Sequence, residues 1–350
     1  MENILFFNIN GSGLGHMNRC LAYARAVEPQ LKPVFFSLAS AIETIEGFGF
    51  EAEYFVSPYW SETASYVWNS ELAVRFGMVL EQVKPAVVVF DGTWPFEGFL
   101  SALVSYGKRP KVVWSSRGLV RNERADLDVT EALFDLIIEP GELGAEFKTA
   151  PLAGGGTKVV VPPVCLLRDD EILDRAAARQ ALGLSDGSRE VLFSLGAGNL
   201  KDVSGVGAGL VQEFEQAGFN VSWAVPSIAT KAPELPAGVN PLEIYPLTKY
   251  LRAFDAFVGA AGYNTCCEVV QAGVPSLLVP NDLVVDDQRQ RALNTAKYVP
   301  CVVSSCNTDE ERKVAVQSLL SLAAASEPVS PLAMNGAELA AEAIFSLVQH

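Results

Sequence analysis

The sequence predicts an α/β protein built from two doubly wound halves, and three observations carry that prediction. Short, continuous apolar runs alternate with helix-period segments almost from end to end. The order strand, glycine-rich turn, helix occurs twice, at the start and again near residue 190. The chain has 350 residues, room for two domains at ~100–200 residues each.

In order along the chain, residues 4–9, 33–37, 86–90, 111–114 and 136–138 are rich in Val, Ile and Phe and lack polar alternation. A parallel strand covered on both faces requires that composition. Residues 17–27, 71–83 and 96–106 lie between them with helical spacing, giving the β-α-β-α order of a parallel sheet. A break is expected around Gly154, Gly155 and Gly156 and at Pro162-Pro163, followed by a polar helical segment at 169–182. The pattern then restarts with a strand at 190–195, a turn at Gly196 and Gly198, a helix ending by Gly218 and a strand at 220–224. Strands at 242–245, 256–258, 276–279 and 301–303 follow, and residues 333–348 form helix strongly. We expect an N-terminal domain over 1–163, a second over 164–332, and a C-terminal helix (333–350) packing back on the first.

Composition narrows the function. The formal charge is −15, from 41 acidic against 26 basic side chains, with 49% of residues hydrophobic. That balance argues against a general nucleic-acid binder and against a polybasic membrane-surface protein. No run reaches the ~18 uncharged residues of a membrane helix, and no basic leader precedes an apolar stretch. Six cysteines without a C-x-x-C pair, and only two histidines, His16 and His350, leave no zinc set. The expectation is a reduced, cytoplasmic protein, with peripheral placement at the inner membrane face left open.

Two motifs carry chemistry. Asn10-Gly11-Ser12-Gly13-Leu14-Gly15-His16 follows the first strand and opens the first helix. Its glycines permit tight turns and close backbone approach, and a helix start offers free N–H groups to an anion. It departs from the dinucleotide fingerprint, which needs Gly where His16 stands, and a plain βα turn is the alternative. The longer motif runs from Ala260-Ala261-Gly262-Tyr263-Asn264-Thr265-Cys266-Cys267-Glu268 through Gly273-Val274-Pro275 and Pro280 to Asp287-Gln288. Gly262, Asn264 and Thr265 would set amides and a hydroxyl around a diphosphate at a helix start. Glu268 is spaced for vicinal ribose hydroxyls, and Asp287 and Gln288 for sugar hydroxyls.

This second motif resembles the donor-binding signature of GT-B glycosyltransferases that use nucleotide sugars, of both the plant and macrolide type and the peptidoglycan lipid-intermediate type. Gly11, Gly13 and Gly15 match the first glycine loop of those families, and Gly198 and Asn199 fall in the second. The resemblance implies two Rossmann-like domains facing across a cleft. It implies that Glu268 binds ribose, Asn264 and Thr265 the phosphates, and Asp287 and Gln288 the transferred sugar. Tyr245 would lie by the base. Ala260 stands where many members carry a phosphate-binding His, a departure shared by the peptidoglycan branch.

The resemblance further implies an inverting transfer to the hydroxyl of a small-molecule or lipid or glycan acceptor, without metal or other cofactor. The donor would be a nucleotide sugar, with UDP favoured over dTDP. His16 would act as general base, oriented by Asp91 at the end of 86–90, although Asp91 could instead cap a helix starting near Pro95. Arg117 is a candidate acceptor contact or a surface ion pair. Alternatives are a nucleotide-sugar 2-epimerase of the same fold and a non-catalytic nucleotide-sugar-binding subunit. Asp126-Leu127-Asp128 sits in a charged stretch and is discounted as a metal motif. The aromatic residues Tyr54, Phe55, Tyr59, Trp60, Tyr66 and Trp68 are read as core ahead of an acceptor patch.

Overall fold

The computed structural model describes residues 1–9, 14–116, 130–152, 154–195, 204–225, 235–281, 286–325, 332 and 334–349. Contacts divide the chain into one unit of Met1–Leu166 with Asn335–His350 and another of Leu167–Met334.

The first unit contains β1 (Glu2–Asn8), α1 (Gly15–Val27), β2 (Leu31–Ser37), α2 (Ile42–Gly47), β3 (Glu51–Tyr54) and α3 (Ser65–Val83). It continues with β4 (Val87–Asp91), α4 (Glu97–Ser105), β5 (Lys111–Ser115), β6 (Leu136–Pro140), β7 (Lys148–Pro151) and β8 (Thr157–Val161). The sheet order is β3-β2-β1-β4-β5-β6-β8-β7, parallel except for β7 against β8. On one face Phe7, Phe36, Phe90 and Phe99 pack with Trp68, Leu72 and Phe76 of α3 into a buried cluster. The edge-on and tilted ring contacts, at 4.8–5.3 Å, add specificity to a core already rich in apolar area.

The expected break at the three glycines is corrected. Lys148–Pro151 and Thr157–Val161 instead pair as antiparallel β7 and β8, with Gly155 between them at φ 86°, where a side chain would be strained. The C-terminal helix, Gly336–Ser346, packs against α1. Gly336 sits where a Cβ would run into the backbone carbonyl of Pro162, with Pro163 O at 2.8 Å. Gly336→Ala is therefore expected to destabilise the protein by about 1–3 kcal/mol, read as a lower urea midpoint at unchanged m-value.

In the second unit, α5 (Arg175–Leu182) follows the 3₁₀ turn Asp169–Glu171. The single helix expected over 169–182 is split because Asp174 caps α5, its side chain accepting from Ala177 N. Then come β9 (Glu190–Ser194), α6 (Ser204–Gln216), β10 (Asn220–Ala224), β11 (Asn240–Leu242), β12 (Ala256–Ala260) and α7 (Tyr263–Ala272). The unit ends with β13 (Ser276–Val279), α8 (Gln288–Thr295), β14 (Cys301–Val303) and α9 (Asp309–Ala325). All strands are parallel in the order β11-β10-β9-β12-β13-β14, around Phe193, Phe214, Trp223 and Leu277. The strand expected at 242–245 lies earlier, over Asn240–Leu242, and a 3₁₀ helix (Leu247–Ala253) follows. Among the described residues no helix is long and apolar enough to cross a membrane.

Candidate functional site

In each doubly wound sheet, strand order reverses once, and ligands of such sheets bind outside the carboxyl ends at that point. In the first unit the reversal falls between β1 and β4. The last residues there are in register, Ser37 opposite Asn8, Asn8 opposite Asp91 and Asp91 opposite Ser115. All four are buried polar residues at the end of apolar strands. The side chain of Asn8 donates from Nδ2 to Ser37 Oγ at 2.9 Å, while its Oδ1 is buried without a hydrogen-bond partner.

Asp91 meets His16, the second residue of α1, with Nδ1 and Oδ1 2.6 Å apart. The helix-cap reading of Asp91 is set aside, because α4 begins at Glu97 with Phe96 as its cap. A residue the sequence reading missed completes the cluster. Arg19 donates Nε to Asp91 Oδ2 at 2.9 Å and Nη2 to Oδ1 at 2.7 Å, and its Nη2 lies 3.0 Å from His16 Nδ1. Its signal was the i+3 spacing from His16, which puts both side chains on one helix face. His16 is 3% exposed, Arg19 4% and Asp91 0%. Burial alone would raise the Asp91 pKa, but the Arg19 charge and the His16 hydrogen bond outweigh it and hold the carboxyl at about 2.

In the second unit the reversal falls between β9 and β12, at the start of α7. Gly262 is the helix cap and, lacking a side chain, makes no side-chain cap bond of its own. Asn264 and Thr265 occupy the second and third helical positions, and Asn264 Oδ1 is buried with no partner. Glu268 lies one turn on, half-buried overall with its carboxyl enclosed. Burial pushes that carboxyl up to about 7, partly offset by a hydrogen bond from Thr248. Tyr245 is brought beside it, its hydroxyl pushed up by burial and by the Glu268 charge.

Asp287 and Gln288 are partly committed to structure. Asp287 caps α8, accepting from Gln290 N at 3.1 Å, and Gln288 Oε1 accepts from Asn281 N at 2.9 Å. Arg291, also missed from sequence, is 4% exposed. It donates to Asp286 Oδ1 at 2.8 Å and to Ala261 O at 3.3 Å, tying this loop to the turn before α7. Gly15 begins α1. Gly11, Gly13, Arg117, Gly198 and Asn199 lie outside the described residues, as do Asp126 and Asp128.

The aromatic group is corrected. Trp68 is buried and Phe55 packs on the core. Tyr54, Tyr59, Trp60 and Tyr66 are instead exposed, by 43%, 80%, 52% and 75%.

Comparison with known proteins bears on these sites. Residues 230–342 match the glycosyltransferase family 28 C-terminal domain, a stretch holding every described donor candidate from Tyr245 to Gln288. A 118-residue stretch is 26% identical to the UDP-N-acetylglucosamine–N-acetylmuramyl-(pentapeptide) pyrophosphoryl-undecaprenol N-acetylglucosamine transferase of Bacillus licheniformis. That match spans 31% of this chain and 32% of the enzyme, about a third of each. A spinosyn rhamnosyltransferase structure superposes over 100% of this chain and 96% of its own, with TM-score 0.59 and 16% identity. The chain has the GT-B fold. A putative UDP-N-acetylglucosamine 2-epimerase from Listeria monocytogenes shares this GT-B architecture, with TM-score 0.62, 13% identity and coverage of 97% and 94%.

Proposed function

We propose that this GT-B protein is an inverting glycosyltransferase that moves a sugar from a UDP-sugar to an acceptor hydroxyl. The observation that carries the reading is the start of α7, within the family 28 segment. There, a helix start capped by a glycine, an unpartnered Asn264 oxygen and an enclosed Glu268 carboxyl lie together beside Tyr245. The amides suit a diphosphate, the carboxylate suits two ribose hydroxyls, and the tyrosine suits a base.

The first unit supplies the base. With Asp91 ionised, the Nδ1–H tautomer of His16 satisfies the 2.6 Å contact, and Nε2 is the nitrogen that would take the proton of the acceptor hydroxyl. The acceptor oxygen bonds to the anomeric carbon as the bond to the diphosphate breaks, the proton goes to Nε2, and UDP leaves. One direct displacement inverts the anomeric centre. We read the transfer as metal-independent, because the start of α7 offers the leaving group backbone amides at a helix N-terminus. A soluble acceptor is preferred to a lipid-linked one on the acidic balance of the chain.

UDP at 100 times its Kd should stabilise the fold by ~2.7 kcal/mol, and dTDP by less. Thermal shifts with both nucleotides check this. Incubation with UDP-sugars checks the activity, since slow hydrolysis releases UDP. A changed sugar without bulk UDP would point to the epimerase reading, and binding without either product to a non-catalytic subunit.

A further inference from the structure

We propose that Arg19 is a positioning residue that fixes Asp91 and sets the charge state of the His16–Asp91 pair, keeping the imidazole neutral. The inference rests on the proposed base role of His16 only for its catalytic consequence.

A His–Asp pair needs no arginine to orient the ring. Here a guanidinium 96% removed from solvent takes both oxygens of the same carboxylate. The fork geometry leaves Asp91 a single orientation, which no point-charge ammonium would impose as tightly. Its Nη2 also stands 3.0 Å from His16 Nδ1. With imidazole neutral, the cluster carries one positive and one negative charge and is balanced. Protonating His16 would add a second cation beside Arg19 in a nearly dry enclosure, which the like charge opposes. Without Arg19, the same proton would meet an unneutralised Asp91 and be held tightly. The arginine thus offsets the carboxylate's tendency to charge the ring, and the base stays available at lower pH.

Among the described residues, no other titratable group supplies this balance. Cys20 and Tyr23 share the α1 face, and burial together with the Asp91 charge pushes both well above their ordinary values, so they stay neutral. Tyr23 OH is 3.3 Å from Ser115 Oγ. Glu338 and Glu342, on the C-terminal helix packed against α1, are exposed. Glu2, Lys32 and Lys111 sit at the amino ends of β1, β2 and β5, at the far end of the sheet from Asp91.

The test uses the two-histidine content of the chain. With His350→Gln as background, a single imidazole titrates by ¹H–¹⁵N NMR. Arg19→Met should raise its midpoint by about one unit or more, the size expected on losing a neighbouring like charge. Arg19→Gln is the second neutral variant should Met not fold. Arg19→Lys keeps the charge, so its midpoint should stay at the native position while kcat falls through loss of the fork. An unmoved midpoint in the folded neutral variants, or an equal shift in Lys, would overturn the proposal. The acid limb of kcat/KM should move up in pH with the NMR midpoint. If the midpoint moves and the limb does not, the coupling stands and His16 is not the base.

Discussion

Replacing His16 with alanine is expected to lower kcat by about 10²–10⁴-fold, with little change in the KM for the UDP-sugar. The split follows from where the roles lie. Every described donor candidate belongs to Leu167–Met334, whereas His16 belongs to the first unit. Loss of a general base removes an interaction made in the transition state and leaves ground-state donor binding intact. Asp91→Asn should cost nearly as much, and the double variant little more, because the two act as one device. The amide would present Arg19 with one oxygen in place of two and no charge, so the ring would lose both its tautomer bias and its anchor. Turnover falls as pH drops and His16 protonates, whereas Asp91, held at about 2, stays ionised throughout the working range. Steady-state UDP release with a defined acceptor is the measurement. Alanine turnover above a tenth of native would sink the base assignment.

Some of this was legible in the sequence and some was not. Strands β13 and β14 were read at their observed bounds, because a short apolar run closed by Gly, Pro or Asn leaves little freedom. The pairing of His16 with Asp91 was legible through the family resemblance, since position at the strand end alone left Asp91 equally a helix cap. Arg19 was not, since its meaning depends on which face of α1 the register of β4 presents. Lys148–Pro151 is exposed along its whole length, so no apolar pattern marked it as a strand. The aromatic residues misled for a related reason. Composition counts rings, but the exposure of Tyr59 and Tyr66 depends on a loop and a helix face that only packing decides.

Glu268→Gln should stabilise the protein by about 2–3 kcal/mol at pH 8 and at the same time weaken UDP binding by about 10–100-fold. The stability sign follows from the raised pKa. The ordinary value is 4.5 and the folded value about 7, so the folded state prefers the protonated acid. Stability from this group is greatest below pH 4.5, declines as pH rises toward 7, and stays lost above it. Glutamine is neutral at every pH, keeps an acceptor for the Thr248 hydroxyl, and removes that decline. The ligand sign is opposite. An ionised carboxylate accepts from two vicinal hydroxyls, whereas the amide offers one acceptor oxygen and a donor that clashes with the second hydroxyl. Native UDP affinity should for the same reason rise with pH through about 7, as binding favours the ionised form. Melting curves at pH 5 and 8, with and without UDP, measure both effects at once. A carboxylate kept only for packing would give a variant less stable at pH 8 and unchanged toward UDP. A more stable, ligand-blind variant means that the fold carries this buried acid at its own expense, as a binding site does.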